Sequence, residues 1–365
     1  MSLQEDDFPA GEKILADLDN VFRTDPELED FFIIPVSGNQ NKSPVVHADH
    51  SLGLESWCVQ HLYCYVYGKL INHKTRKKRE DPKVVARLLR GALLINPETA
   101  AFWNMMKQLI ESERVGPEED LRFSAVVLSF KPKCSEVFTH RKWVLRKMVA
   151  QADVQPMAVL KYLQAELRIT QLAASKYPSN YNAWNHRKWV LEALVPKGGA
   201  EQKELLKQEL KLSHCWTSNH VSDYSGLQYR QYVMQAIFST FKHEDFLCQT
   251  EWLLELPSKM EAKCCSSCAA ASVLEQELQM LDELIVRYEG HESLWYHRRF
   301  VLHSLQKVCA SAVCAKLGAS LFNSVVGSER AFASSVCRES KLAHENGHAS
   351  RHLSWVENVL RITAA

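Results

Sequence analysis

An all-α fold, an elongated solenoid of helical hairpins, is what this sequence predicts, and three observations carry the prediction. The segment Pro178 to Leu191 (PSNYNAWNHRKWVL) recurs in degraded form along the chain, as PETAAFWNMMKQLI at 97–110, PKCSEVFTHRKWVL at 132–145, VSDYSGLQYRQYVM at 221–234 and EGHESLWYHRRFVL at 289–302. The anchors Trp103, Phe138, Trp184, Leu227 and Trp295 are 35, 46, 43 and 68 residues apart. The first three intervals have the size of one two-helix repeat, and the fourth is one repeat plus an insertion. Between recurrences lie runs with an apolar residue every three to four positions, the period of an amphipathic helix.

The third copy shows how one repeat is built. Val159, Leu160, Leu163, Leu167, Ile169 and Leu172 place a helix over 156–175. Tyr177-Pro178-Ser179 stops it, because the residue before proline is driven out of the helical region. Asn180 then caps a second helix over about 181–194. Trp184, Arg187, Lys188 and Leu191 share one face of that second helix, at i, i+3, i+4 and i+7.

Arginine on this apolar stripe recurs as Arg141, Arg187, Arg230 and Arg298, and the weakest copy has Met106 there. A cation on a core-facing stripe requires a carboxylate or backbone carbonyls. These arginines either clamp neighbouring repeats or face a partner or an anionic ligand. His140, His186 and His297 stand directly before three of them and read as structural.

The tandem P-x-N-Y-x-x-W-x-x-R-x-x-x-L pattern, over about 97–302, resembles the alpha subunit of protein prenyltransferases. The resemblance implies a right-handed alpha-alpha superhelix, a crescent that wraps a beta subunit carrying the catalytic zinc and most of the isoprenoid pocket. It also implies that Lys133, directly after Pro132, contacts the isoprenoid diphosphate, where a compact positive charge suits a leaving diphosphate. The family's tyrosine two positions on is Ser135 here. Its Asn-Tyr-His at the mouth of the site is Asn180, Tyr181 and Asn182. The implied function is transfer of a geranylgeranyl group from its diphosphate to an acceptor protein with a C-terminal cysteine, with a Rab-type beta subunit as partner. The chain itself then binds no cofactor or metal. The competing reading is a helical scaffold that binds proteins without chemistry.

The remaining features are compatible with both readings. Residues 1–81 read as an N-terminal helical segment with linkers, 82–302 as the repeats, and 303–365 as a helical cap. In the N-terminal segment, Ile14, Leu15, Leu18 and Phe22 form an amphipathic stretch, Val36 to His50 a polar loop and Leu52 to Ile71 a helix. No sheet is expected. The cap contains Cys309, Cys314 and Cys337 as small core residues and Trp355, Leu353, Val359 and Leu360 as its apolar face. The basic run His73 to Arg79 reads as a solvated linker, with an import signal or acidic-partner patch as alternatives. Cys264, Cys265 and Cys268 in the insertion near 257–272 resemble half a zinc site without a second half; free thiols in a loop, or an acylation site, are the other readings. A net charge of +1 offers no general attraction to nucleic acid or membrane. Eleven cysteines without framework spacing, no signal peptide and no long apolar run suggest a reducing, cytoplasmic setting without a membrane span.

Overall fold

A computed structural model describes residues 10–36, 43–76, 80–150, 156–194, 200–240, 266–311, 319–340 and 342–360. Fourteen α-helices and one small sheet are found among them, in two compact units, Met1–Leu194 and Val195–Ala365.

The first unit begins with α1 (Ala10–Thr24), whose Ile14, Leu15, Leu18 and Val21 are buried. A three-stranded sheet follows, of β1 (Asp30–Ile34), β2 (Val45–Ala48) and β3 (Ser51–Glu55), then α2 (Val59–Arg76). Three hairpins complete the unit: α3 (Pro82–Ile95) with α4 (Ala100–Glu111), α5 (Pro117–Phe130) with α6 (Ser135–Ala150), and α7 (Pro156–Lys176) with α8 (Tyr181–Leu194). Pro82 and Pro117 sit in the first turn of their helices, where the missing N–H costs nothing. Asp81 caps α3 by accepting from the Lys83 N–H at 3.0 Å.

The second unit is three hairpins: α9 (Ala200–Asn219) with α10 (Tyr224–Thr240), α11 (Ser266–Arg287) with α12 (Glu292–Ser311), and α13 (Ala319–Glu339) with α14 (Ala343–Asn358). At the turn into α12, Gly290 has φ of +90°, a conformation that L side chains avoid. Its N–H donates to Glu345 at 2.5 Å, and the His344 ring occupies the space a Cβ would need. Residues 312–318 and Cys314 lie outside the described residues. In α14 the buried positions are Glu345, Ala349, His352 and Val356, with Leu360 beyond its end, while Trp355 and Leu353 are half-buried and Val359 is exposed. The apolar face expected of this helix is therefore turned by one position: Leu360 keeps its place, and His352 fills the core because it has a buried carboxylate to meet.

The sheet corrects the expectation that the chain holds none. β3 is central, parallel to β1 and antiparallel to β2. Leu52 to Glu55 are all buried, as in a strand covered on both faces, so the run shows no alternation and reads like a helix in sequence. The β2–β3 turn has Asp49 and His50 both at positive φ, 46° and 58°, the geometry of a tight hairpin that usually uses Asn-Gly. Asp25 holds it, bonded to His47 Nε2 at 2.8 Å and His50 Nδ1 at 3.0 Å. Phe31 packs edge-on against Phe130, and its N–H donates to Ser129, which fixes the sheet to the end of α5. His73 to Arg76 close α2 rather than forming a linker, and Lys77, Lys78 and Arg79 lie outside the described residues. Cys264 and Cys265 lie outside them as well, and Cys268 falls in the first turn of α11.

Candidate functional site

The turns between paired helices are bonded to one another. Asn180 is fully buried just before α8. Its amide donates to the carbonyls of Pro132 at 2.6 Å and Ala173 at 3.2 Å, and its oxygen accepts from the Ala183 N–H at 3.1 Å. It caps α8 and joins that turn to the turn before α6. Ser179, at φ 54°, lets the chain reach this arrangement. Asn182 donates to the Lys133 carbonyl at 3.0 Å. Lys133 is thus held by its own backbone, while its side chain is exposed and its Nζ lies 4.6 Å from the centre of the Tyr177 ring. An exposed ring can attract a cation by about 0.5–1 kcal/mol, enough to favour one position without removing it from water.

Tyr181 is 56% exposed beside this turn. Ser135 points its hydroxyl at Glu136, at 2.9 Å. Burial raises the Glu136 pKa, but the Ser135 hydroxyl and the local backbone N–H outweigh it and hold the carboxylate ionised. Cys134 is buried with its Sγ 3.4 Å from the same carboxylate, and burial pushes its thiol up to about 11, too high for a thiolate nucleophile at neutral pH. The structure therefore brings Lys133, Asn180, Asn182 and Tyr177 together along one edge. The polar groups of Asn180 and Asn182 are largely occupied in building it.

The arginines lie elsewhere, within the hairpin stack. Arg141 is buried and donates to Glu166 through Nε (3.2 Å) and Nη2, to the Leu121 carbonyl, and to Ser124 at 2.6 Å. Arg187 is buried with bonds to the Leu167 carbonyl and to Thr170 at 3.1 Å. Arg230 donates to Glu277, the Leu210 carbonyl (2.9 Å) and Ser213 (3.1 Å). Arg298 donates to Glu329 at 2.6 and 2.7 Å, and also meets Asp282 at 2.6 Å. None of these four side chains is exposed.

A spacing rule underlies this network. The residue before each arginine donates to a carboxylate twenty positions earlier: His140 to Asp120, His186 to Glu166, Tyr229 to Glu209 and His297 to Glu277. The first three arginines reach a hydroxyl seventeen positions earlier, Ser124, Thr170 or Ser213. The carboxylates Glu166, Glu277 and Glu329 each join an arginine of one hairpin to a histidine of the next, the last through His352. Burial disfavours these charges, but the arginine outweighs it: Glu166 and Glu329 are held at about 2, and Glu277 is also depressed. Asp120 shows the rule by exception. The preceding hairpin has Met106 in place of arginine, and Asp120 Oδ1 has no hydrogen-bond partner among the described residues. These carboxylates are functional parts of the repeat that the sequence reading missed, although the constant twenty-residue spacing was there to find.

The aromatic anchors are core. Trp103, Phe138, Trp184, Leu227 and Trp295 are all buried. Trp103 donates to the Pro97 carbonyl at 2.7 Å, and Trp295 donates to Glu345 at 2.8 Å. Two positions after each arginine stands a half-buried aromatic residue: Trp143, Trp189, Tyr232 or Phe300. Lys142 and Arg146 lie 5.1 and 5.7 Å from the Trp189 ring, so this face of α6 and α8 presents cations over aromatics.

Among the described residues no group of three His, Cys, Asp or Glu could hold a metal, and no helix is long and apolar enough to cross a membrane. Comparison with known proteins finds a repeat over the same hairpins. The protein prenyltransferase alpha subunit repeat matches residues 117–148, 163–194, 206–237 and 274–305, the hairpins α5/α6, α7/α8, α9/α10 and α11/α12. The chain is 33% identical over 309 residues to protein prenyltransferase alpha subunit repeat-containing protein 1 of Danio rerio, covering 80% of this chain and 72% of that one. It is 32% identical over 314 residues to the Homo sapiens protein of that name, covering 80% and 77%, and 32% identical over 314 residues to the 1-A form of Xenopus laevis, covering 81% and 73%. With the repeats in register on the buried arginines and the likeness running through most of both chains, this chain belongs to the protein prenyltransferase alpha subunit repeat family.

Proposed function

We propose that the chain is the alpha subunit of a two-chain protein prenyltransferase, which with a Rab-type beta subunit transfers a geranylgeranyl group from geranylgeranyl diphosphate to a C-terminal cysteine of an acceptor protein. The observation that carries this reading is Lys133: an exposed ammonium on a turn fixed by Asn180 and Asn182, with one aromatic face beside it. In the reaction a C–S bond forms at C1 of the isoprenoid as the C1–O bond breaks, and diphosphate leaves with the bonding electrons. Zinc on the beta subunit would supply a lowered thiol pKa for the acceptor cysteine, which loses its proton before attack. Lys133 would neutralise charge as it gathers on the leaving oxygens, an interaction stronger in the transition state than in the ground state. Tyr181, exposed beside the same turn, would face the substrate. The buried arginines would keep the hairpins in register and so hold that edge in place.

A second reading is a non-catalytic scaffold, and one observation favours it. The Ser135 hydroxyl is used on Glu136 and the Asn182 amide on the Lys133 carbonyl, so the edge offers a diphosphate little besides one lysine. Co-purification with a zinc-containing beta subunit, followed by transfer of labelled geranylgeranyl to acceptor protein, supports the first reading. A stable complex with no transfer to any acceptor supports the second.

A further inference from the structure

Away from the edge of turns, the first unit contains a cavity of about 370 Å³ between α5, α7 and the segment Pro26 to Asp30. This is within the range of small-molecule sites, which pair an apolar lining with a few placed polar groups. Its walls include Leu121, Ala125 and Leu128 from α5 and Ile169, Leu172 and Ala173 from α7. The alanines leave the space open, and Leu172 remains 48% exposed at its border.

The charges around it are unequally used. Arg141 and Glu166 line it but satisfy each other. At the rim, Arg168 pairs with Glu29 at 2.9 Å and Lys176 with Asp30 at 2.5 Å. Arg122, exposed on α5, also lines the cavity and forms no ion pair among the described residues. Tyr162 of α7 is near enough to feel the Arg122 charge, and its hydroxyl has no hydrogen-bond partner among the described residues. Burial raises the phenol's pKa, Glu118 adds to this, and Arg122 opposes it, so Tyr162 remains a donor at neutral pH. Both residues lie towards the N-terminal ends of their helices, and Lys176 meets the Ser129 carbonyl at the other ends. From Arg122 to Ser129 is seven residues, about 10 Å of helix.

We propose that this groove binds a small amphipathic monoanion, a carboxylate on an apolar chain of about eight to ten carbons, with its head on Arg122 and Tyr162 and its chain along Ala125, Ile169 and Leu172. A multiply charged head fits poorly, because Glu27, Glu29 and Asp30 share the rim and, of the cations lining the cavity, Arg122 alone has no ion-pair partner among the described residues. The inference does not depend on prenyl transfer.

Isothermal titration of the full chain with decanoate, decan-1-ol and acetate tests it. Saturable one-to-one binding of decanoate is expected, with decanol weaker by about tenfold and acetate undetectable. Arg122→Gln, at an exposed position, should weaken decanoate about tenfold and leave decanol unchanged. Ala165→Phe, on the lining of the groove, should abolish both; if it fails to fold, Leu172→Asn is the replacement and should weaken both. Decanoate binding that is absent, is matched by decanol, or is unchanged in these variants overturns the proposal. So does tighter binding of a peptide with a C-terminal leucine, which would assign the groove to a protein terminus.

Discussion

Arg141 and Glu166 sit in successive hairpins, and the guanidinium meets both oxygens of the carboxylate while His186 donates to one of them at 2.9 Å. Glu166 thus receives an arginine from the hairpin before and a histidine from its own. A bidentate pair fixes the register of two hairpins in a way that leucine and valine, which can slide, do not. Replacing one partner leaves a buried charge unmatched. Arg141→Met should destabilise the chain by about 3–5 kcal/mol, read as a fall in the urea midpoint at unchanged slope. A loss below about 1 kcal/mol would mean that the pair behaves as if solvated.

Asp120→Asn provides the internal control. Asp120 takes one donor, His140, and no arginine, because Met106 stands in the preceding hairpin. Its substitution should cost less than Glu166→Gln by at least about 1–2 kcal/mol. Equal losses in the two variants would show that the arginine adds nothing to the junction.

Acid should expose the same network. Glu166 and Glu329 are held at about 2 in the fold, against an ordinary value of 4.5. Folded-state pKa values below the unfolded ones mean that this stability is present above pH 4.5 and is lost as pH falls from there towards 2. For Glu166 alone the linkage is of order 3 kcal/mol. His352 works in the same direction at higher pH: burial lowers its pKa, with Glu329 opposing, so stability also declines as pH falls through the ordinary histidine range. Urea unfolding from pH 7 to pH 3 should show a continuous decline that steepens below pH 4.5. A flat profile down to pH 3 would contradict the buried ionised carboxylates.

Trp295 is 1% exposed, packs beside Phe332 and His352, and bonds to Glu345. Trp295→Ala should cost about 3–5 kcal/mol by emptying that volume, and Trp184→Ala should cost a similar amount. Thermal unfolding would report either. An unmoved midpoint would place the indole at the surface.

Much of this was legible in the sequence. The helical hairpins, the bounds of α8, the start of α3 at Pro82 and the cap at Asn180 follow from apolar period and proline placement. The arginines could be seen to need partners. The carboxylates were not identified, because Asp120, Glu166, Glu209 and Glu277 lie on the other helix of each hairpin and look like solvated charges until the twenty-residue interval is aligned. The sheet escaped because Leu52 to Glu55 is buried on both sides and its turn uses Asp49-His50, whose left-handed backbone is held by the distant Asp25. The turn edge was half visible: Lys133 and Asn180 stand out, but the bond from Asn182 to the Lys133 carbonyl depends on how two hairpins stack, which no local pattern records.

Lys133→Ala in the complex with a Rab-type beta subunit tests the central claim most directly. Its ammonium is exposed and makes no ion pair among the described residues, so folding and assembly should be nearly unchanged. Single-turnover transfer from saturating geranylgeranyl diphosphate should fall by about ten- to a thousandfold, the loss expected when one charge leaves the developing diphosphate. An unchanged rate in an intact complex would contradict the account and leave this chain as a clamp for its partner.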